Sequence, residues 1–134
     1  MKILNKELLQ NEIDKTEYWD VRILDIQTKY YGDEVCVYIE NDVEKCWEIK
    51  FTSCVNVSYE TDANCRSIDN VKNMRNGQLG YFGQKIFIND YNNGTDLMAV
   101  QMDFSIMTMN ILCKNIEVRE CEVNELGFFW NTKL

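Results

Sequence analysis

Apolar and polar residues alternate with a period of two along most of this chain, the pattern of strands that bury one face. The clearest run is 35–40, where Val35, Val37 and Ile39 point one way and Cys36, Tyr38 and Glu40 the other. Trp47, Ile49 and Phe51 alternate in the same manner with Cys46, Glu48 and Lys50, and Val55, Val57 and Tyr59 with Cys54, Asn56 and Ser58. Upstream, Val21, Ile23 and Ile26 carry an apolar face between Tyr18 and Lys29. Tyr31-Gly32-Asp33-Glu34 and the stretch from Asn41 to Lys45 read as turns, because Gly, Asp and Asn tolerate turn geometry. Short connections between these runs predict a four-strand antiparallel meander with one buried and one wet face.

The period changes at both ends of this block. From Asn5 to Asp14, a capping Asn5 and apolar Leu8, Leu9 and Ile13 predict a short helix that must dock to be stable. Between Thr61 and Gly77, Ile68, Val71 and Met74 are spaced for a short helix or helical turn, with an Asn-rich loop almost as good a fit. Gly77, Gly80 and Gly83 predict a bend at a sheet corner. Gln84 to Tyr91 reads as a strand, Asn92-Asn93-Gly94-Thr95 as a hairpin turn, and Ile116 with Val118 as a last strand. Between Leu97 and Leu112 the apolar register passes from Val100, Met102, Phe104 and Ile106 to Met107, Met109 and Ile111, which predicts a bulge or turn near Ser105 to Thr108. Phe128, Phe129 and Trp130 are expected to pack back on the core or on a neighbouring subunit. No internal sequence repeat is evident. The expected fold is mainly β (α+β with one or two short helices), an antiparallel sandwich or partly open barrel of about seven to nine strands, in a single domain over 1–134 with a short N-terminal helix.

Composition then narrows the chemistry. The chain has no histidine and no proline. It therefore has no imidazole to shuttle protons near neutral pH, to bind metal, or to serve as the usual base of a serine or cysteine triad. The formal charge is −8, from 22 acidic and 14 basic residues. Such a chain is repelled by nucleic acid and by anionic membranes, and attracts a basic protein partner; net charge that only maintains solubility is the blander reading. Met1 to Leu9 carries no apolar run of signal-peptide length, and no segment approaches the roughly 18 apolar residues of a membrane helix. The six cysteines are accordingly read as reduced thiols of a cytoplasmic protein.

No motif assembles catalytic or cofactor chemistry. Asp90 to Asp96 lacks the ligand spacing of a calcium loop, the cysteines lack a Cys-x-x-Cys pair, and Gly77-x-x-Gly80-x-x-Gly83 lacks the Lys-Ser/Thr ending of a phosphate loop. Cys65, beside Arg66, reads as a structural thiol. Asp20, Asp25, Glu40, Glu48, Asp103, Glu117 and Glu120 are numerous carboxylates of which no pair stands out. No enzyme activity, metal or cofactor is expected. Met98, Met102, Met107 and Met109 either fill the core or line a pocket for an apolar ligand in a small barrel.

The aromatics point outward instead. Tyr18, Trp19, Tyr30, Tyr31, Tyr38, Tyr59, Tyr81, Phe82 and Tyr91 often stand at strand ends or on the wetter face amid carboxylates, as in protein-binding surfaces, although Tyr also caps the edges of ordinary β cores. Trp19-Asp20-Val21-Arg22-Ile23-Leu24-Asp25-Ile26, then Val35-Cys36-Val37-Tyr38-Ile39 and Trp47-Glu48-Ile49-Lys50-Phe51, resemble small acidic β-rich bacterial proteins, among them immunity proteins of polymorphic toxin systems. The resemblance covers Tyr18 to Glu60, with an echo from Gly77 to Cys121; Trp19 stands where such proteins commonly have His before Asp. It implies a cytoplasmic antidote that covers the active site of a toxin. Complementary charge would speed its encounter with a basic toxin. The expected contact residues are Tyr30, Tyr31, Tyr38, Glu40 and Glu48, with replacement of Tyr38 and Glu48 expected to weaken binding without unfolding. A homodimer or homo-oligomer joined by strand edges or by the Phe128 to Trp130 tail is the remaining alternative.

Overall fold

The computed structural model describes residues 6–64, 70–91 and 96–132. Within them a helix, α1 (Lys6–Asp14), precedes eight strands: β1 (Ile23–Lys29), β2 (Glu34–Glu40), β3 (Lys45–Thr52), β4 (Asn56–Thr61), β5 (Lys85–Asp90), β6 (Met98–Asp103), β7 (Met107–Cys113) and β8 (Asn115–Glu122). All pairing is antiparallel, in two sheets of order β1-β2-β3-β8 and β4-β7-β6-β5. The sheets do not close on each other, so the architecture is a sandwich rather than a barrel.

The expected four-strand meander is three strands long. Ser53 takes a left-handed φ of 53° after β3, and the Val55 N–H bonds the Leu112 carbonyl (2.8 Å), so β4 joins β7 in the second sheet. The second half repeats this path. β5, β6 and β7 form a meander, and β8 crosses back to pair with β3. Each sheet is thus completed by the last strand of the other half, a topological repeat that the sequence does not display.

The core lies between the sheets. Val35, Val37, Ile39, Ile49, Phe51 and Ile116 meet Ile86, Ile88, Val100, Met102, Met109 and Ile111. Met98, Met102 and Met109 are packed side chains here, in keeping with core filling. Ile23 and Ile26, an odd number of residues apart, both join this core because a register shift between Ile23 and Asp25 takes Leu24 to the opposite face. The change of register near Ser105 is a tight turn between β6 and β7, with Ser105 at φ 73° and the Phe104 N–H on the Met107 carbonyl (2.7 Å). The hairpin expected at 92–95 lies outside the described residues; β5 and β6 on either side of it pair antiparallel.

A second apolar layer covers the outer face of the first sheet, which sequence periodicity assigns to water. Leu24, Cys36, Tyr38 and Cys46 are buried there by Met74 and Leu79 from the 70–80 segment and by Val123, Phe128 and Trp130 from the C-terminal segment. The 70–80 segment carries short 3₁₀ turns at Val71–Asn73 and Asn76–Gln78 rather than a helix; Ile68 lies outside the described residues. The aromatic tail packs on its own core, with Trp130 Nε1 donating to the Leu24 carbonyl (2.7 Å) and Phe128 edge-on to Tyr38 (5.1 Å between centroids). At Gly83 a Cβ would collide with the Tyr18 carbonyl, so glycine is required where the 80–84 segment crosses the chain leading into β1.

The two open sides of the sandwich are treated differently. Helix α1 packs on β5 and β8 and closes one side. Ile13 is buried against the core as its spacing predicts, whereas Leu8, assigned to the same stripe, is exposed. Gln10 spans β5, its Nε2 donating to the Ile86 carbonyl (2.8 Å) and its Oε1 accepting from the Ile88 N–H (2.8 Å), and the Tyr18 hydroxyl accepts from the Ile86 N–H (3.1 Å). These side chains occupy edge positions that another strand would otherwise take. The other side, between β1 and β4, holds a cavity. Cys36, Cys46, Cys54, Cys113 and Cys121 are free thiols, and Cys65 lies outside the described residues. No helix among the described residues is long and apolar enough to cross a membrane.

Candidate partner-binding site

The five residues singled out from the sequence separate into three places. Tyr38 and Glu48 face each other across β2 and β3 and are 2% and 3% exposed, so their expected place on a wet face is corrected. The Tyr38 hydroxyl donates to Glu48 Oε2 (2.7 Å), and Arg119 Nε, across the β3–β8 ladder, donates to Oε1 (2.6 Å). Burial penalises the Glu48 carboxylate, but the hydrogen bonds from Arg119 and Tyr38 outweigh that and hold its pKa below the ordinary value. Burial and the neighbouring Glu48 push the Tyr38 phenol well up. Burial, Cys121 and Glu48 push the Cys46 thiol up to about 12. This cluster is an internal strut. The role of Arg119 was not singled out from the sequence, since its contact depends on β8 returning to β3.

Glu40 lies at the far end of β2, beside Arg22 (3.4 Å). At a rise of about 3.3 Å per residue, it stands roughly 20 Å from the turn at the start of that strand. Tyr30 and Tyr31 form that turn and are at the surface.

Among the described residues, the β1–β2 turn alone places three consecutive residues at positive φ. Tyr30, Tyr31 and Gly32 follow one another at φ 55°, 60° and 95°. Left-handed angles suit glycine, but each costs a bulky L residue about 1–2 kcal/mol. The turn is nevertheless fixed: the Asp33 N–H bonds the Tyr30 carbonyl (3.1 Å), and the Cys54 N–H bonds the Asp33 carbonyl (3.0 Å), tying it to the β3–β4 link. Tyr31 is 112% exposed and Tyr30 71%, so Tyr31 gains no burial within the chain in return for its strain and Tyr30 little. A shallow cleft of about 260 Å³ lies between these rings and Cys54, Val55 and Val57. Val55 and Tyr59 extend this apolar surface along β4, and the acidic side chains nearby in the sequence are Asp33, Glu34, Glu60 and Asp62. Cys54 at the cleft wall is made more acidic by a hydrogen bond with the buried Cys113 thiol. Val55 is exposed, although alternation alone places it on a buried face.

Further along β4 lies the cavity of about 310 Å³ between the two sheets, lined on one side by Ile23 and Ile26, on the other by Tyr59 and Met107, and at its rim by Leu79 and Phe129. Of the four methionines considered for a ligand pocket, only Met107 borders it. Asp25 is also at its wall, and burial raises its pKa although Gln27 and the Ile26 N–H bond it. Among the described residues no three His, Cys, Asp or Glu side chains are grouped to hold a metal ion.

The fold and this surface define an acidic two-sheet β-sandwich that presents strained, exposed aromatics and a half-open apolar cavity on one side. The chain belongs to the family described as Immunity protein PIM7, which matches residues 5–120. Family and sequence resemblance therefore agree on an immunity protein. No curated protein matches the chain.

Proposed function

We propose that this chain is a non-catalytic antidote that neutralises a basic toxin by binding it, with Tyr30 and Tyr31 at the centre of the contact. The observation that carries this reading is the pair of adjacent tyrosines held in left-handed backbone and turned to solvent. Strain kept by the surrounding structure clusters at binding sites, and rigid exposed Tyr is a typical interface anchor. Membership of an immunity family supports a toxin as the partner. A net charge of −8 supports a basic one, through faster encounter and rejection of acidic competitors. The free thiols suit a reducing compartment, which we take to be the cytoplasm.

The test begins with capture of the partner from the lysate of the source cells on immobilised protein at low salt. The purified partner is then titrated with wild-type protein and with the Tyr30→Asn/Tyr31→Asn double variant. Asn accepts left-handed angles, so the variant keeps or gains stability. Its affinity is expected to drop at least tenfold, and wild-type affinity to fall as salt rises. Unchanged affinity in the variant would overturn the tyrosine contact, and a retained partner that is acidic or salt-insensitive would overturn the basic-toxin reading.

A further inference from the structure

We propose that the free edge of β4 receives an extended, basic strand of the toxin, which continues the second sheet and seats one apolar side chain in the 310 Å³ cavity between β1 and β4. This rests on the toxin-binding reading and names the part of the partner that is bound.

Each of the four sheet edges exposes unpaired backbone groups unless something blocks it. β5 is blocked by Gln10 and Tyr18. β8 is packed by α1 and carries Glu117, Arg119, Glu120 and Glu122. β1 blocks itself, since the Asp25 carboxylate accepts from the Ile26 N–H (2.9 Å) and from Gln27 (3.2 Å), and the Ile23 N–H bonds the Tyr81 carbonyl (2.8 Å). β4, Asn-Val-Ser-Tyr-Glu-Thr, has no such device: it holds no proline, no lysine and one charge. The bond from the Asp62 N–H to the Ile106 carbonyl (2.8 Å), one step beyond the β4–β7 register, fixes the alternation. Ser58 and Glu60 direct their backbone groups to β7, so those of Val57, Tyr59 and Thr61 face outward. Among the described residues no hydrogen bond outside the ladder reaches these three.

Position and charge say what fits. The edge runs from the Tyr30–Tyr31 turn, where Gly32 approaches Val57, to the cavity wall at Tyr59 and Thr61. A strand laid along it touches the aromatic pair at one end and passes the cavity at the other. Main-chain bonds would provide affinity and the cavity would select a side chain, as in other strand-addition complexes. Asp33 and Glu34 at one end, with Glu60 and Asp62 at the other, favour Lys and Arg in the incoming strand. Repulsion among the same carboxylates disfavours a second copy of this chain.

The probe is a synthetic peptide of about nine residues, alternating lysine with valine and carrying leucine at its centre, added to the full chain while amide hydrogen exchange is followed by NMR. Without peptide, the Val57, Tyr59 and Thr61 amides are expected to exchange freely and those of Ser58 and Glu60 slowly. With peptide at about ten times its Kd, the first three should slow about tenfold. Protection on β1 or β8 instead, or none at millimolar peptide, overturns the proposal. So does protection that grows with protein concentration alone, which would assign the edge to a second copy. Thr61→Pro supplies the second arm, because it removes an outward N–H and spares the β7 ladder. It should weaken the captured toxin at least tenfold. If Thr61→Pro keeps full affinity while Tyr30→Asn/Tyr31→Asn loses it, the edge proposal fails and the toxin-binding reading stands. If the wild-type chain binds no toxin, the reading itself fails.

Discussion

Glu48→Gln isolates the buried strut beneath the C-terminal segment. The side chain is 4% exposed and is held by Tyr38 at 2.7 Å and Arg119 at 2.6 Å. A guanidinium only donates, so the new amide must leave its oxygen on Arg119 and turn its NH₂ toward Tyr38. The Tyr38 hydroxyl then has to accept, and its own hydrogen exchanges a carboxylate for the Cys36 sulfur, a weak acceptor. A hydrogen bond to a charged group contributes about 1.5–3 kcal/mol. The Arg119 share is discounted because that side chain is 62% exposed to water. The expected net loss is about 2 kcal/mol, or a fall of about 6–10 °C in Tm for a chain of this size. The sign with pH follows from the depressed pKa of Glu48. Its contribution is complete above the unfolded value of about 4.3 and is lost as pH falls through the lower folded value. Urea unfolding of both proteins at pH 7, 5.5, 4 and 3 should therefore show a gap that is constant down to about pH 5 and closes below about pH 4. Asp25, whose pKa is raised, has the opposite slope but is present in both proteins and cancels in the difference. A gap of the same size at pH 3 and pH 7, or one under about 0.5 kcal/mol at pH 7, would refute the account.

Gln10→Ala frees the Ile86 carbonyl and the Ile88 N–H at the β5 edge; it should cost about 1–2 kcal/mol in chemical denaturation and raise the sedimentation-derived mass with concentration, as the unblocked edge becomes available for pairing. Asp25→Asn removes a carboxylate whose burial raises its pKa while keeping an acceptor for the Ile26 N–H and a partner for Gln27; Tm at pH 7 should rise, and the increase should vanish at pH 3, where wild-type Asp25 is protonated. Gly83→Ala forces a Cβ against the Tyr18 carbonyl; it should destabilise by about 1–3 kcal/mol, and a Tm equal to wild type would show that the crossing yields easily.

What the sequence made legible is local. Alternation at 35–40 and 46–51 gave strands in the right register, and Val35, Val37, Ile39, Ile49 and Phe51 do face the core. The fate of the opposite face could not be read there. Cys36, Tyr38 and Cys46 are covered by Met74, Leu79, Phe128 and Trp130, which arrive from more than twenty residues away in sequence, and period-two patterning carries no information about a second layer. A hydroxyl and a carboxylate at cross-strand positions, Tyr38 and Glu48, look the same in sequence whether they meet water or each other. The strand exchange was hidden for a related reason. A short link after β3 suggested a hairpin, and only the Val55–Leu112 bond and the left-handed Ser53 redirect β4 to the other sheet.

The same limit separates the two aromatic groups that the sequence left open. From sequence alone, Phe128 and Trp130 are expected to pack on the core or on a neighbouring subunit, and Tyr30 and Tyr31 to make a partner contact, with edge-capping of the core as the alternative for tyrosine. Backbone economy distinguishes them. Trp130 buries its ring, donates its indole N–H to the Leu24 carbonyl and stacks on Phe128 at 5.2 Å, so its conformation is repaid inside the molecule. Tyr30 and Tyr31 adopt left-handed angles that a glycine pair would adopt without strain; Tyr31 buries nothing within the chain and Tyr30 only a minor part of its surface. The proposed partner contact would account for strain that so little burial within the chain offsets. The inverse relation expected at these two positions, stability held or gained while binding is lost, is what a packing role could not produce.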